Sequence, residues 1–207
     1  MHFTLSDLVT DITQNGAESG ADLVELEIRE TEKGANGNPE FRFIVKDNGK
    51  GMSPESLKRA QDPFVTDGIK HPHRKVGLGV PFLIQTAEQS GGGWKMESVK
   101  AEGDAAAHGT EVSAWFDISN VDTPPVGDLS GMFRMVLLFQ GPAEIVIKRA
   151  LEMGENQIHY EVRKTELAEA LGGDLEDTQS QILLDRYLRS LEVNDDQNDS
   201  DQGEENG

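Results

Sequence analysis

Asp47-Asn48-Gly49-Lys50-Gly51-Met52 combines residue types and spacing that can do chemistry. A carboxylate on this turn lies beside bare backbone, because neither Gly49 nor Gly51 carries a Cβ. A flat ligand rich in hydrogen-bonding groups suits such a place. The same Asn-Gly pair also makes an ordinary hairpin turn, so the stretch needs company before it defines a site. Asp11 and Asn15, four residues apart, fall on one side of a helix. There a carboxamide oxygen can ligate a hard cation such as Mg²⁺ while the carboxylate handles a water. Two solvated polar residues on an exposed face give the same pattern. Lys70-His71-Pro72-His73-Arg74-Lys75 gathers three fixed cations and two histidines in an acidic chain. It reads either as a solubilising loop or as the source of charge for an anion. Val76-Gly77-Leu78-Gly79-Val80 follows, and glycines at a helix entrance let backbone N–H groups approach a negative ligand.

The elements that must position these residues are legible from period and punctuation. Residues 6–19 read as a helix with Ser6 or Asp7 as N-cap, an apolar face of Leu5, Leu8, Val9 and Ile12, and Gly20 as its terminator. Residues 23–28 and 41–46 alternate as strands around a Gly- and Asn-rich hairpin loop, 31–40. Ser53-Pro54 opens a short helix to Ala60, and a second helix runs from the Gly77 entrance through Ala87. Strands are expected at 94–99 and 109–116, joined by a small-residue turn at 102–108. Pro124-Pro125 marks a connector. Beyond it the pattern predicts a helix at 132–139, a strand pair at 144–150 and 157–164, and helices at 165–171 and 178–192.

Composition narrows the function classes. The chain has 207 residues, a net charge of −19 and no cysteine. Disulfides and thiolate chemistry are excluded, and a nucleic-acid surface is not expected without a basic stripe. Seven acidic residues and no Lys or Arg lie between Glu192 and Gly207. Residues 194–207 therefore read as a disordered acidic tail. No signal-peptide pattern and no membrane-length apolar run are present, and a cytoplasmic location is expected.

In order along the chain, these stations resemble the GHKL superfamily of ATP-binding domains, which includes DNA gyrase, heat-shock chaperone ATPases, sensor histidine kinases and mismatch-repair ATPases. Asp11-Ile12-Thr13-Gln14-Asn15 is similar to the N box, Asp47-Asn48-Gly49-Lys50-Gly51 to the G1 box, and Gly77-Leu78-Gly79-Val80 to the G2 box. Gly109-Thr110 resembles the strand-start motif that follows, and Asp62-Pro63-Phe64-Val65-Thr66 resembles the F box of histidine kinases. The resemblance implies an α+β fold: a two-layer α/β sandwich whose mixed sheet is covered by helices on one face. It covers roughly residues 5–117. Domain bounds of 1–125 for the ATP domain, 126–193 for a small α/β extension and 194–207 for the tail are expected.

The resemblance also implies roles. ATP and Mg²⁺ are the expected cofactors, with Asn15 on the metal and Asp47 on the adenine amino group. Gly49, Gly51 and Met52 pack by the base, Thr110 supports its pocket, and Phe64, Lys75, Gly77, Leu78, Gly79 and Val80 line the lid and phosphate side. Asp11 is the expected catalytic carboxylate, one methylene shorter than the Glu of hydrolysing members. Lys75 stands where the G2 box usually has its first glycine. Few residues precede the N box, so a phosphoacceptor histidine hairpin is not expected there. An ATP-dependent regulator or slow ATPase acting through a protein partner or a homodimer is the first reading; a kinase acting in trans on a partner is the second.

Overall fold

Residues 3–62, 79–102 and 108–193 are described by the computed structural model. The first helix, α1 (Leu5–Ala17), starts earlier than its sequence pattern suggests, and its cap is Thr4 rather than Ser6 or Asp7. The Thr4 hydroxyl accepts the Asp7 N–H at 3.3 Å while Asp7 Oδ2 accepts the Thr4 N–H at 2.9 Å. Asp7 is thus the reciprocal partner in a capping box, three residues inside the helix. Leu5, Leu8, Val9 and Ile12 are buried, as the apolar stripe requires.

Six strands, β1 (Leu23–Thr31), β2 (Glu40–Asp47), β3 (Gly93–Val99), β4 (Gly109–Asp117), β5 (Glu144–Met153) and β6 (Asn156–Arg163), form one sheet in the order β3-β4-β2-β1-β5-β6. All neighbours are antiparallel except β1 and β5. Period two decides the faces. Val24, Leu26 and Ile28 of β1, Phe41, Phe43 and Val45 of β2, and Val112, Ala114 and Phe116 of β4 are buried on the face the helices cover. Each of these phenylalanines contributes about 1.5–3 kcal/mol by leaving water. The alternate positions Glu25, Glu27, Arg42, Lys46 and Lys148 remain at least partly exposed on the other face.

The helical layer also contains α2 (Pro54–Ala60), α3 (Gly79–Gln89), α4 (Leu129–Leu137), α5 (Lys164–Ala170) and α6 (Thr178–Leu191). Ser53 caps α2 with Pro54 at its start, in agreement with the sequence. The fourth helix begins three residues before the expected Met132, because Asp128 Oδ1 accepts the Gly131 N–H at 3.0 Å and caps it. Residues 126–193 continue the same sheet: β5 runs parallel to β1 from Leu23↔Glu144 to Thr31↔Glu152. Phe133, Val136, Ile145, Leu184 and Leu188 share one apolar cluster with Leu8 and Val24.

Where β5 meets α6, Arg149 is buried at 4% exposure. Its guanidinium meets Glu30 Oε1 at 2.5 Å and Glu192 Oε1 at 3.3 Å, and it donates to the Ala150 carbonyl at 2.7 Å. The Tyr160 hydroxyl donates to Glu192 at 2.5 Å. Burial, then this hydrogen bond, pushes the Tyr160 hydroxyl well above its ordinary pKa. The cluster ties the C-terminal end of α6 to β1, β5 and β6.

Candidate functional site

Asp47 is the last residue of β2, and the turn after it doubles back against the ends of β3 and β4. Three observations show how tightly. The left-handed φ of +59° at Gly51 favours glycine, and a Cβ there would collide with the Val99 carbonyl. A Cβ at Gly109, whose φ is +126°, would collide with the Asp47 carbonyl. A Cβ at Gly49 would collide with the Ser19 hydroxyl. Glycine is therefore dictated at these positions by close backbone and side-chain approach.

Two side chains fasten the turn to its neighbours. Ser98 Oγ, on β3, accepts the Met52 N–H at 2.8 Å, donates toward the Gly109 carbonyl at 3.0 Å and lies 2.9 Å from Thr110 Oγ1. His108 Nδ1 lies 2.6 Å from the Gly49 carbonyl, to which it donates as the Nδ1–H tautomer. Asn48 holds the other side, its Oδ1 accepting the N–H groups of Asp22 and Leu23 at 2.9 Å each.

The Asp47 carboxylate itself is only 8% exposed. Its Oδ1 accepts the Ser19 hydroxyl at 2.9 Å and the Gly49 N–H at 2.8 Å. Burial raises its pKa above the ordinary 3.8; the N–H of Gly49, the Ser19 hydroxyl, the Thr110 N–H and the nearby His108 pull the other way but do not cancel it. A carboxylate oriented by these neighbours in a partly dry place is a directional acceptor for a ligand that donates.

Asp11 and Asn15 form a second group. Both are exposed on α1, where they border the buried stripe of Leu8 and Ile12 three residues away. Gly79, the first residue of α3, lies against them: a Cβ there would sit 3.8 Å from Asp11 Cβ and 3.9 Å from Asn15 Nδ2. Val80 packs partly buried on the core beside it. The end of α1 bridges the two groups, since a Cβ at Gly16 would lie 3.5 Å from Asp47 Cβ and Ser19 bonds the carboxylate directly. Of the sequence-predicted residues, Asp11, Asn15 and Gly79 come together, as do Asp47, Gly49, Gly51, Met52 and Thr110. Phe64, Lys75, Gly77 and Leu78 lie outside the described residues, as do the basic loop 70–75, most of the F-box stretch and the tail. Ser19, Ser98 and His108 were not singled out from the sequence. Ser19 ends the helix expected over 6–19 and His108 stands directly before Gly109-Thr110, and neither position marks a functional residue by itself.

This chain belongs to the family of histidine kinase-, DNA gyrase B- and HSP90-like ATPases, whose sequence profile matches residues 2–120. Membership makes it an ATP-binding domain, and its mixed sheet with helices on one face is the two-layer sandwich of that family. No curated protein sequence matches the chain. Among solved structures, a crystal structure of the N-terminal domain of a DNA repair protein is similar at a TM-score of 0.47 and 12% identity, over 76% of this chain and 52% of that one. The ADP complex of the MutL ATPase domain from Aquifex aeolicus is similar at 0.39 and 13%, over 88% of this chain and 68% of that one. This chain thus spans about half the length of the first. Among the described residues, no helix is long and apolar enough to cross a membrane.

Proposed function

We propose that this chain binds Mg-ATP between α1, the Asp47 turn and the entrance of α3, and acts as an ATP-dependent regulator or slow ATPase through a protein partner. The observation that carries the reading is the buried Asp47 carboxylate, its Oδ1 oriented by Ser19 and Gly49. In this reading Asp47 accepts the adenine amino group, Gly49, Gly51 and Met52 flank the base, and Thr110 supports the pocket floor through Ser98.

The residues present fit a magnesium ion. Asn15 offers one carboxamide oxygen on an exposed helix face beside Gly79, which itself carries no side chain. That suits an ion that keeps several waters and takes further oxygens from substrate phosphates. When bound, Mg²⁺ supplies charge to screen those phosphates. Asp11, one turn earlier on the same face, orients and deprotonates the attacking water. Its side chain is short for that reach, which favours slow turnover. The same short reach favours a second reading, transfer of the phosphoryl group in trans to a partner protein.

Calorimetric titration with Mg-ATP and phosphate release at saturating ATP test the proposal together. Asp11→Asn is expected to keep ATP binding and to lose about 10²–10⁴-fold in turnover. Asn15→Ala is expected to impair both through the metal. Turnover unchanged in Asp11→Asn removes Asp11 from hydrolysis, and absence of Mg-ATP binding by the intact chain overturns the reading.

A further inference from the structure

The two edges of the sheet differ. Residues 50–52 and α2 cover one end of β3: Met52 bonds Ser98, the Ala101 N–H bonds the Lys50 carbonyl at 2.9 Å, and α2 packs nearby. At the other edge, no strand pairs with the outer side of β6 among the described residues. The strand is eight residues long and contains neither proline nor lysine, the usual guards of an exposed edge. Beside it, α6 exposes a second apolar flank in addition to its core face. Leu183 is 51% and Tyr187 44% exposed, and Tyr187 is close enough to Tyr160 of β6 to affect its ionisation.

We infer that β6 is the interface of a homodimer, in which two copies pair β6 to β6 antiparallel about Tyr160 and join their sheets into one. The order of residues along the strand supports a second copy. Met153 and Asn156 close the β5–β6 hairpin around Gly154-Glu155, with Gly154 at φ +60° in the manner of a type II′ turn. Alternation from that closing pair leaves the backbone groups of Gln157, His159, Glu161 and Arg163 facing outward. With Tyr160 opposite Tyr160 of the second copy, these outward residues pair with one another in phase. On the exposed face His159 then meets Glu161 and Gln157 meets Arg163. On the helix-covered face Ile158 meets Val162. A one-residue shift would set core-face side chains against exposed ones. A two-residue shift would set Glu161 against Glu161 or His159 against His159. Centring on Val162 would also set Glu161 against Arg163, but it engages only two of the four outward residues. The register centred on Tyr160 engages all four and sets no like charges opposite each other. The two-fold axis keeps both helical layers on the same side and brings the Leu183 and Tyr187 flanks toward each other.

The proposal does not rest on the nucleotide-binding reading, because β6 lies three strands from β2 in the sheet. Sedimentation velocity of the full chain across a concentration series tests it, and a concentration-dependent dimer is expected. His159→Glu places like charges opposite Glu161 twice per interface and should weaken the dimer by about tenfold or more. The double variant His159→Glu/Glu161→Lys restores opposite charges and should recover the dimer. Mg-ATP affinity should not change in either. If His159→Glu, which faces Glu152 at 3.9 Å in its own chain, lowers the melting temperature sharply, Tyr187→Glu on the exposed flank takes its place and should also weaken the dimer. A monomer at every concentration, a dimer indifferent to both single variants, or a double variant that stays dissociated overturns the inference.

Discussion

Asp47 and Arg149 are both charged side chains that the fold buries, and they are buried to different ends. Arg149 is satisfied within the chain: Glu30, Glu192 and the Ala150 carbonyl take its donors. Asp47 is nearly as inaccessible, but although Ser19 and Gly49 bond its Oδ1, desolvation outweighs its hydrogen bonds and raises its pKa. A buried charge with a full set of partners holds elements together. One that keeps acceptor capacity in a dry place is costly to the fold and useful to a ligand. This difference supports the recognition role proposed for Asp47.

The largest expected effect tests the structural half of this contrast. Arg149→Met leaves Glu30 and Glu192 without their cation and should destabilise the fold by about 3–5 kcal/mol. Denaturant unfolding should register that loss, with Mg-ATP affinity of the folded fraction unchanged. A small loss of stability would show that the cluster does not anchor α6.

Asp47→Asn should do the reverse. Loss of a charge-assisted hydrogen bond costs about 1.5–3 kcal/mol, or roughly 10- to 150-fold in ATP affinity. The melting temperature should hold or rise, since the desolvation penalty of the carboxylate is gone. GTP should bind the intact chain poorly, because its 6-oxo group is an acceptor facing another acceptor. Equal affinities for ATP and GTP would remove Asp47 from base recognition.

The pH dependence follows from the sign of the shift. The folded-state pKa of Asp47 lies above its ordinary 3.8, so the folded state holds this proton more tightly than the unfolded state. Its contribution to stability is therefore most favourable below that ordinary value and declines as pH rises through the folded-state pKa. ATP affinity runs the other way, falling as pH drops through the folded-state pKa and the acceptor is protonated. Calorimetry from neutral to mildly acidic pH should show this fall in the intact chain and lose it in Asp47→Asn.

The smallest effect belongs to Ser19→Ala. It removes one neutral donor to Asp47 while the Gly49 N–H remains. A loss of about 0.5–1.5 kcal/mol corresponds to roughly 2- to 10-fold in affinity. A loss as large as that of Asp47→Asn would mean that Ser19 touches the ligand itself.

Much of this molecule is written in short-range pattern. Alternation marks β1 and β2, the Leu5–Ile12 stripe marks α1, and the four-residue spacing puts Asp11 and Asn15 on one exposed face. Those features obey periods of 2 and 3.6 and need only neighbours in sequence to be seen. Helix starts were less legible. Thr4 and Asp128 each bond an N–H three residues on, and several Ser, Thr or Asp residues nearby compete for that role until backbone geometry selects one.

The tertiary structure decided what the periods do not encode. Ser19 reaches Asp47 across 28 residues, Ser98 reaches Met52 across 46, and His108 reaches Gly49 across 59. Each contact exists because strand register and the packing of α1 bring distant backbone together. The parallel pairing of β5 with β1 is likewise absent from the local pattern, since a strand's own residues do not name the neighbour it takes or that neighbour's direction. Arg149 makes the point most sharply: in sequence it is one charged residue in a strand, and only the crossover that sets β5 beside β1, with α6 closed over it, turns it into a buried cation paired with Glu30 and Glu192.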